Sequence, residues 1–212
     1  MAILLDSLLG NLSGRVGNMV FYNYRGKTCA RRRCWKQNSP GSVAQLQQRN
    51  RMRAACIFYR ALVAAGLKEA WNKAAEGSLL SGYNLFVRLN IQVISGQGLI
   101  TDFSRIRLVS GGLPLSDMME VKRLSPTTVG VRWQLKACCS RNRLSDRLAL
   151  AFMKSEGIYT VRMVDTGGVC RSACEARIEV PEELAAYPHC YCFFRSAQTA
   201  ETSESRYFYL NV

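Results

Sequence analysis

The sequence predicts an α+β protein in which a basic β-hairpin arm over residues 1–36 and a small helical unit over 37–98 precede a β-sandwich over 99–212. Three observations carry that prediction. Between Val16 and Trp35, β-branched, aromatic and apolar residues flank a glycine-centred turn at Arg25-Gly26-Lys27. From Val43 to Val93 apolar residues recur at steps of three and four, the period of a helix face. Beyond Gly98 the period falls to two, and turn residues interrupt it repeatedly.

At the N-terminal end, Leu4, Leu5, Leu8 and Leu9 have helical spacing, so one or two helical turns are expected there before Gly10 and Gly14. Val16, Met19-Val20-Phe21-Tyr22 and Tyr24 read as a strand, Gly26 offers a residue free to take a positive φ, and Thr28 to Trp35 is the return strand. A lone hairpin is marginal in water. It must therefore pack on a helix or add to another sheet, within one molecule or between copies. Ser39 or Ser42 is the candidate N-cap of a helix from Val43 to Ala65, whose apolar members are Leu46, Met52, Cys56, Tyr59 and Val63. Gly66 ends it. Leu67 to Ala75 forms a second short helix closed by Gly77, and a third opens at Ser81-Gly82-Tyr83 with Tyr83, Phe86, Leu89 and Val93 along one face. Trp71, Tyr83 and Phe86 are the expected core of this unit.

Strands are then expected at Ile106–Val109, Glu120–Leu124, Thr128–Leu135, Arg147–Met153, Gly157–Val164, Cys174–Val180, Cys190–Arg195 and Tyr207–Val212. Ser125-Pro126, Gly167-Gly168, Pro181 and the Ser196 to Ser205 loop separate them. Short strands at this density, with a buried-type Trp133 and the Tyr187/Tyr191 region before a late strand, predict an immunoglobulin/fibronectin-III-like β-sandwich.

Charge is distributed unevenly. The net charge is +14, and residues 1–55 carry ten Lys or Arg against one acid, while residues 101–212 carry fifteen against twelve. All ten cations of the front end lie between Arg15 and Arg53, where there is no acid at all. Arg31, Arg32 and Arg33, with Trp35 and Lys36 beside them, suit phosphate: guanidinium offers two parallel donors and an interleaved aromatic ring can stack on a base. Arg15, Arg25 and Lys27 lie in or beside the hairpin, and Arg49, Arg51 and Arg53 extend the run along a helix. These eleven residues are the candidate surface for nucleic acid or an acidic partner. The plainer reading is a solvated cationic face, since a basic stripe is an electrostatic footprint and not an address.

Other chemistries find little support. Nine cysteines, an odd number without a CxxC pair, read as reduced thiols acting as small hydrophobes. Cys170, Cys174, His189, Cys190 and Cys192 come nearest to a ligand set. Their spacing is not that of zinc sites, and Cys190 and Cys192 share a strand face simply by period two, so no metal and no other cofactor is expected. His189 is the single histidine and sits beside Pro188 in an expected loop, which leaves a Ser-His or Cys-His nucleophile unassigned. Glu182-Glu183 reads as a solvated turn. Gly26-Lys27-Thr28 lacks the upstream glycine of a phosphate loop. No catalytic residue and no small-molecule substrate is expected.

No apolar run approaches the roughly 18 residues of a membrane helix, so membrane insertion is not expected. Met1–Leu9 carries Asp6 and no basic flank, unlike a signal peptide. The expected location is the cytoplasm, or a particle or filament into which the chain is incorporated.

The residues Gly14-Arg15-Val16-Gly17-Asn18, Arg25-Gly26-Lys27, Ala30-Arg31, Asn38, Ala44-Gln45 and Gln48-Arg49 resemble a family of uncharacterised basic proteins from Bacteroidetes and phage-like loci. Its members share a GKVGNVV-like opening, a GK turn and an NPxTxAQxxQR-like helix entry. Asn38-Ser39-Pro40 departs from the Asn-Pro order. The resemblance covers the N-terminal half and implies the same division of the chain, without implying an activity. Together these readings predict a non-enzymatic structural or assembly protein that self-associates and uses its basic region on nucleic acid or an acidic surface. The rivals are a cytosolic nucleic-acid-binding protein and a surface adhesin whose sandwich binds a ligand.

Overall fold

The structure is a computed structural model that describes residues 2–4, 12–24, 26–34, 41–135, 143–155 and 159–210. The chain divides into two compact units, Met1–Gly41 and Ser42–Val212. Both are built from antiparallel sheets, the second with helices, so the α+β class holds. Among the described residues no helix is long and apolar enough to cross a membrane.

In the first unit the expected hairpin is the centre of a larger sheet. Strands β1 (Ala2–Leu4), β2 (Gly14–Val16), β3 (Met19–Tyr24) and β4 (Lys27–Arg32) pair in the order β1-β4-β3-β2. The two flanking strands answer the marginality of a lone hairpin by giving both arms a partner. Leu4, expected in a helical turn, is in a strand opposite Thr28, while Leu5, Leu8 and Leu9 lie outside the described residues. Gly26 takes φ +74°, the positive value for which a residue without Cβ was expected.

The second unit begins with a reciprocal cap. Ser42 Oγ accepts from the Gln45 amide at 3.3 Å, and the Ser42 amide donates to Gln45 Oε1 at 3.0 Å, which fixes the start of α1 (Val43–Ala64). The buried face of α1 is Ala54, Ala55, Phe58 and Leu62, not the expected row through Leu46, Met52 and Val63, all three of which are exposed. Residues 54–59 (Ala-Ala-Cys-Ile-Phe-Tyr) are apolar all round, so periodicity leaves the choice of face open; two alanines let the backbone approach and Phe58 fills the space. Helix α2 (Lys68–Ala74) buries Trp71, and α3 (Gly82–Asn90) buries Phe86. Tyr83 is only half-buried, its ring set edge-on to Tyr59 at 5.2 Å.

Behind the helices lie two sheets. One has the order β11-β10-β7-β8, from β7 (Arg147–Met153), β8 (Val161–Val164), β10 (His189–Arg195) and β11 (Arg206–Tyr209); the other is β5 (Asp117–Ser125), β6 (Thr128–Gln134) and β9 (Glu175–Glu179), in the order β5-β6-β9. Strand β7 explains the layering. Ala149, Ala151 and Met153 join the core formed with Phe58, Trp71 and Phe86, whereas Leu148, Leu150 and Phe152 join Val129, Val131 and Trp133. Strand β10 divides likewise, Tyr191 and Phe193 to the first core and Cys190, Cys192 and Phe194 to the second. The two central strands of the four-stranded sheet, β7 and β10, are thus buried on both faces along most of their length, and the helices share a core with the strands.

The strand expected at Ile106–Val109 does not form. Its backbone is satisfied from the side: the Arg107 amide donates to Asn90 Oδ1, the Leu108 amide to Ser205 Oγ, and Leu108 O accepts the Trp71 indole at 3.0 Å. Ile106, Leu108 and Val109 are buried nonetheless. Gly111 sits where a Cβ would lie 2.0 Å from Thr202 O, a close approach that only glycine permits. The second strand ends also differ: β8 starts at Val161 and β11 ends at Tyr209, with residues 156–158 and 211–212 outside the described set.

Candidate functional site

Cross-strand partners in an antiparallel sheet place their side chains on the same face, so the register of the first unit sorts its cations. Arg15 stands opposite Val20, and Val20 opposite Arg31. Along the same face Tyr22 faces Cys29, and Tyr24 faces Lys27 at the turn end. Arg15, Arg31 and Lys27 therefore share one face with two tyrosines. Arg32, opposite Met19, points to the other.

Arg15, Lys27 and Arg31 are exposed, and Tyr24 shows 51% of its surface. The Arg31 guanidinium stands 6.0 Å from the centroid of the Tyr22 ring, a loose cation–π contact that leaves its N–H groups available. Arg15 and Arg31 are two strand spacings apart, about 10 Å. Arg33 follows the strand end, where its amide donates to Asn18 O at 2.7 Å, and its side chain is exposed. Arg25, Trp35 and Lys36 lie outside the described residues.

The helical cations divide as well. Each residue advances an α-helix by about 100°, so Arg49 and Arg53 fall on one stripe and Arg51 lies roughly 160° away from both. Arg51 is half-buried, while Arg49 and Arg53 are exposed. Arg60, exposed and eleven residues beyond Arg49, belongs to the Arg49–Arg53 stripe. Sequence reasoning stopped at Arg53 because the cation density drops there; the i, i+4, i+11 spacing was the available signal. Among the described residues Arg15, Lys27, Arg31, Arg49, Arg53 and Arg60 form no ion pair.

The remaining candidates form no second centre of this kind. Among the described residues no group of three His, Cys, Asp or Glu is placed to hold a metal ion. Cys190 and Cys192 share a buried strand face, with Sγ atoms 3.9 Å apart. His189 is not in a loop: it opens β10, is buried, and stacks on Phe103 with ring centroids 3.7 Å apart. Its Nε2 lies 3.1 Å from Ser155 Oγ and its Nδ1 2.9 Å from the Tyr207 hydroxyl. Burial lowers its pKa. Glu182 and Glu183 occupy an exposed 3-10 turn.

The fold and these surfaces define a basic α+β protein with a cationic, tyrosine-bearing sheet face on one unit and an arginine stripe on a helix of the other. Comparison with protein-family models, with curated proteins and with solved structures finds no match.

Proposed function

We propose that this chain is a non-enzymatic structural or assembly protein, of a phage-like particle or filament, whose basic N-terminal unit engages nucleic acid. The observation that carries the reading is the single sheet face that Arg15, Lys27 and Arg31 share with Tyr22 and Tyr24. Cations about 10 Å apart across the sheet meet separate phosphates of one backbone, and an exposed tyrosine offers a ring for stacking on a base. The Arg49–Arg53–Arg60 stripe supplies further phosphate contacts. In this reading the strand-rich part is an immunoglobulin/fibronectin-III-like sandwich, supported by the core that the two sheets share and by Trp133 packed edge-on to Phe194 at 5.6 Å. It faces outward and gives the assembly its body.

A second reading has its own observation. β2 is an edge strand of only three residues, and Val16 on it is 68% exposed, so the same unit can add a strand from another copy and place its cations against an acidic neighbouring surface.

Fluorescence anisotropy with a labelled oligonucleotide at several salt concentrations tests the first. The logarithm of affinity should fall linearly with the logarithm of salt, and Arg15→Ala or Arg31→Ala should each flatten the slope by about one, whereas Arg32→Ala on the opposite face should change it less. Equal effects of all three would remove the face from the proposal. Light scattering at two salt concentrations tests assembly, and a strict monomer throughout would leave the cytosolic nucleic-acid-binding reading in its place.

A further inference from the structure

The two strands at the centre of the larger sheet end on a like-charge pair. Arg147 of β7 and Arg195 of β10 are directly opposed, on the face that carries Ala149 and Phe193. Like charges so placed repel, and a sheet gains nothing from them. Both side chains are exposed, and among the described residues neither forms an ion pair or a hydrogen bond. They line one cavity of about 420 Å³, within the range of small-molecule sites.

The other groups of that cavity are arranged as donors. Ser196 Oγ already accepts the amides of Gln198 and Thr199, both at 3.2 Å, and Thr199 Oγ1 accepts the amide of Glu201 at 3.3 Å. Ser196 Oγ thus has both lone pairs engaged and Thr199 Oγ1 one of its two, and each hydroxyl keeps its hydrogen to give. Thr166 spends its own on Leu148 O at 2.8 Å. One acid, Asp165, also lines the cavity, and its Oδ1 accepts the Gly167 amide at 2.9 Å. The charged lining is thus two guanidinium groups to one carboxylate, and the Ser196 and Thr199 hydroxyls line the same cavity.

We propose that this cavity binds a small phosphate-bearing molecule, its phosphate held by Arg147 and Arg195 and capped by the Ser196 and Thr199 hydroxyls. A dianionic phosphate satisfies both guanidinium groups at once and converts their repulsion into two charge-assisted contacts. The cavity is larger than the anion alone, so a phosphomonoester with a compact polar remainder fits the class. All of the site's residues belong to the second unit.

Isothermal titration with inorganic phosphate, in chloride buffers of matched ionic strength, tests it. The wild type should give saturable 1:1 binding; Arg147→Gln and Arg195→Gln should each weaken it by about tenfold or more, the loss of one charge-assisted contact. Thr199→Val, a milder change, should weaken it without altering charge. Glycerol 3-phosphate should bind at least as well as phosphate, and a single-stranded oligonucleotide should compete poorly. Without phosphate, Arg195→Gln should melt no lower than the wild type, because it relieves a like-charge pair. Absence of saturable phosphate binding would overturn the proposal. So would binding that survives both arginine substitutions and disappears with Arg15→Ala and Arg31→Ala, and so would competition by the oligonucleotide at full strength, which would make the cavity part of a nucleic-acid surface.

Discussion

His189 and Arg171 show how single buried polar residues are accommodated in opposite ways. Arg171 and Asp146 are each 2% exposed, with guanidinium and carboxylate 3.2 Å apart, and Arg171 also donates to Pro114 O and lies 4.1 Å from the Phe194 ring centroid. Burial raises the Asp146 carboxyl while the guanidinium opposes that rise. Removing either partner alone strands a charge in the core, which costs on the order of 3–5 kcal/mol. His189 is instead held neutral, walled by Phe103, Tyr207 and Tyr209, with Ser155 and Tyr207 hydroxyls on its two nitrogens. Its pKa lies below the ordinary 6.5 because the charged ring loses hydration. Between the lowered folded value and 6.5 the unfolded chain binds the extra proton, so this contribution to stability is full above 6.5 and is lost as the pH falls through the folded value. Thermal melts from pH 7.5 down to 5 should therefore decline more steeply for the wild type than for His189→Gln. Parallel profiles would mean that the imidazole protonates as freely in the fold as in the open chain.

At the scale of an element, α1 depends on its first turn. Residues 43–50 are exposed, so the beginning of the helix gains little from packing and relies on the Ser42–Gln45 cap. Ser42→Ala should cost about 0.5–2 kcal/mol if α1 folds cooperatively with the core. Amide exchange should rise across the first two turns and stay unchanged at Phe58 and Leu62; faster exchange along the whole helix would show that the cap matters beyond its own turn. The basic stripe rides on this helix, so fraying there would also loosen Arg49 before Arg60. The capping residue was legible as one of two serines. The buried face was not, because the apolar residues of the second half encircle the helix and the neighbour alone selects among them.

For the whole molecule, the division at Gly41 and Ser42 separates two compact units. The second contains both large hydrophobic cores, apart from which the first is a small sheet with seven Lys or Arg and one acid. A fragment of residues 42–212 should therefore melt cooperatively by near-ultraviolet circular dichroism. It should keep a nucleic-acid salt slope of at most about three, the number of cations on the α1 stripe, against a larger slope for the full chain. A fragment that expresses only as a non-cooperative, expanded chain would show that the first unit is needed to complete the second.

The sequence by itself determined the class, the positions of most strands and helices, the concentration of positive charge before Arg53 and the burial of Trp71, Phe86 and Trp133, because period, turn chemistry and composition are local properties. Only the tertiary structure decided which cations act together. Arg15 and Arg31 share a face through a cross-strand register, Arg32 is excluded by alternation, and Arg147 meets Arg195 across strands 48 residues apart in the chain. It also decided that Ile106–Val109 would give its backbone bonds to Asn90, Ser205 and Trp71 in place of a neighbouring strand. Such pairings depend on partners distant in sequence, and a one-residue change of register would turn every one of those side chains to the other side.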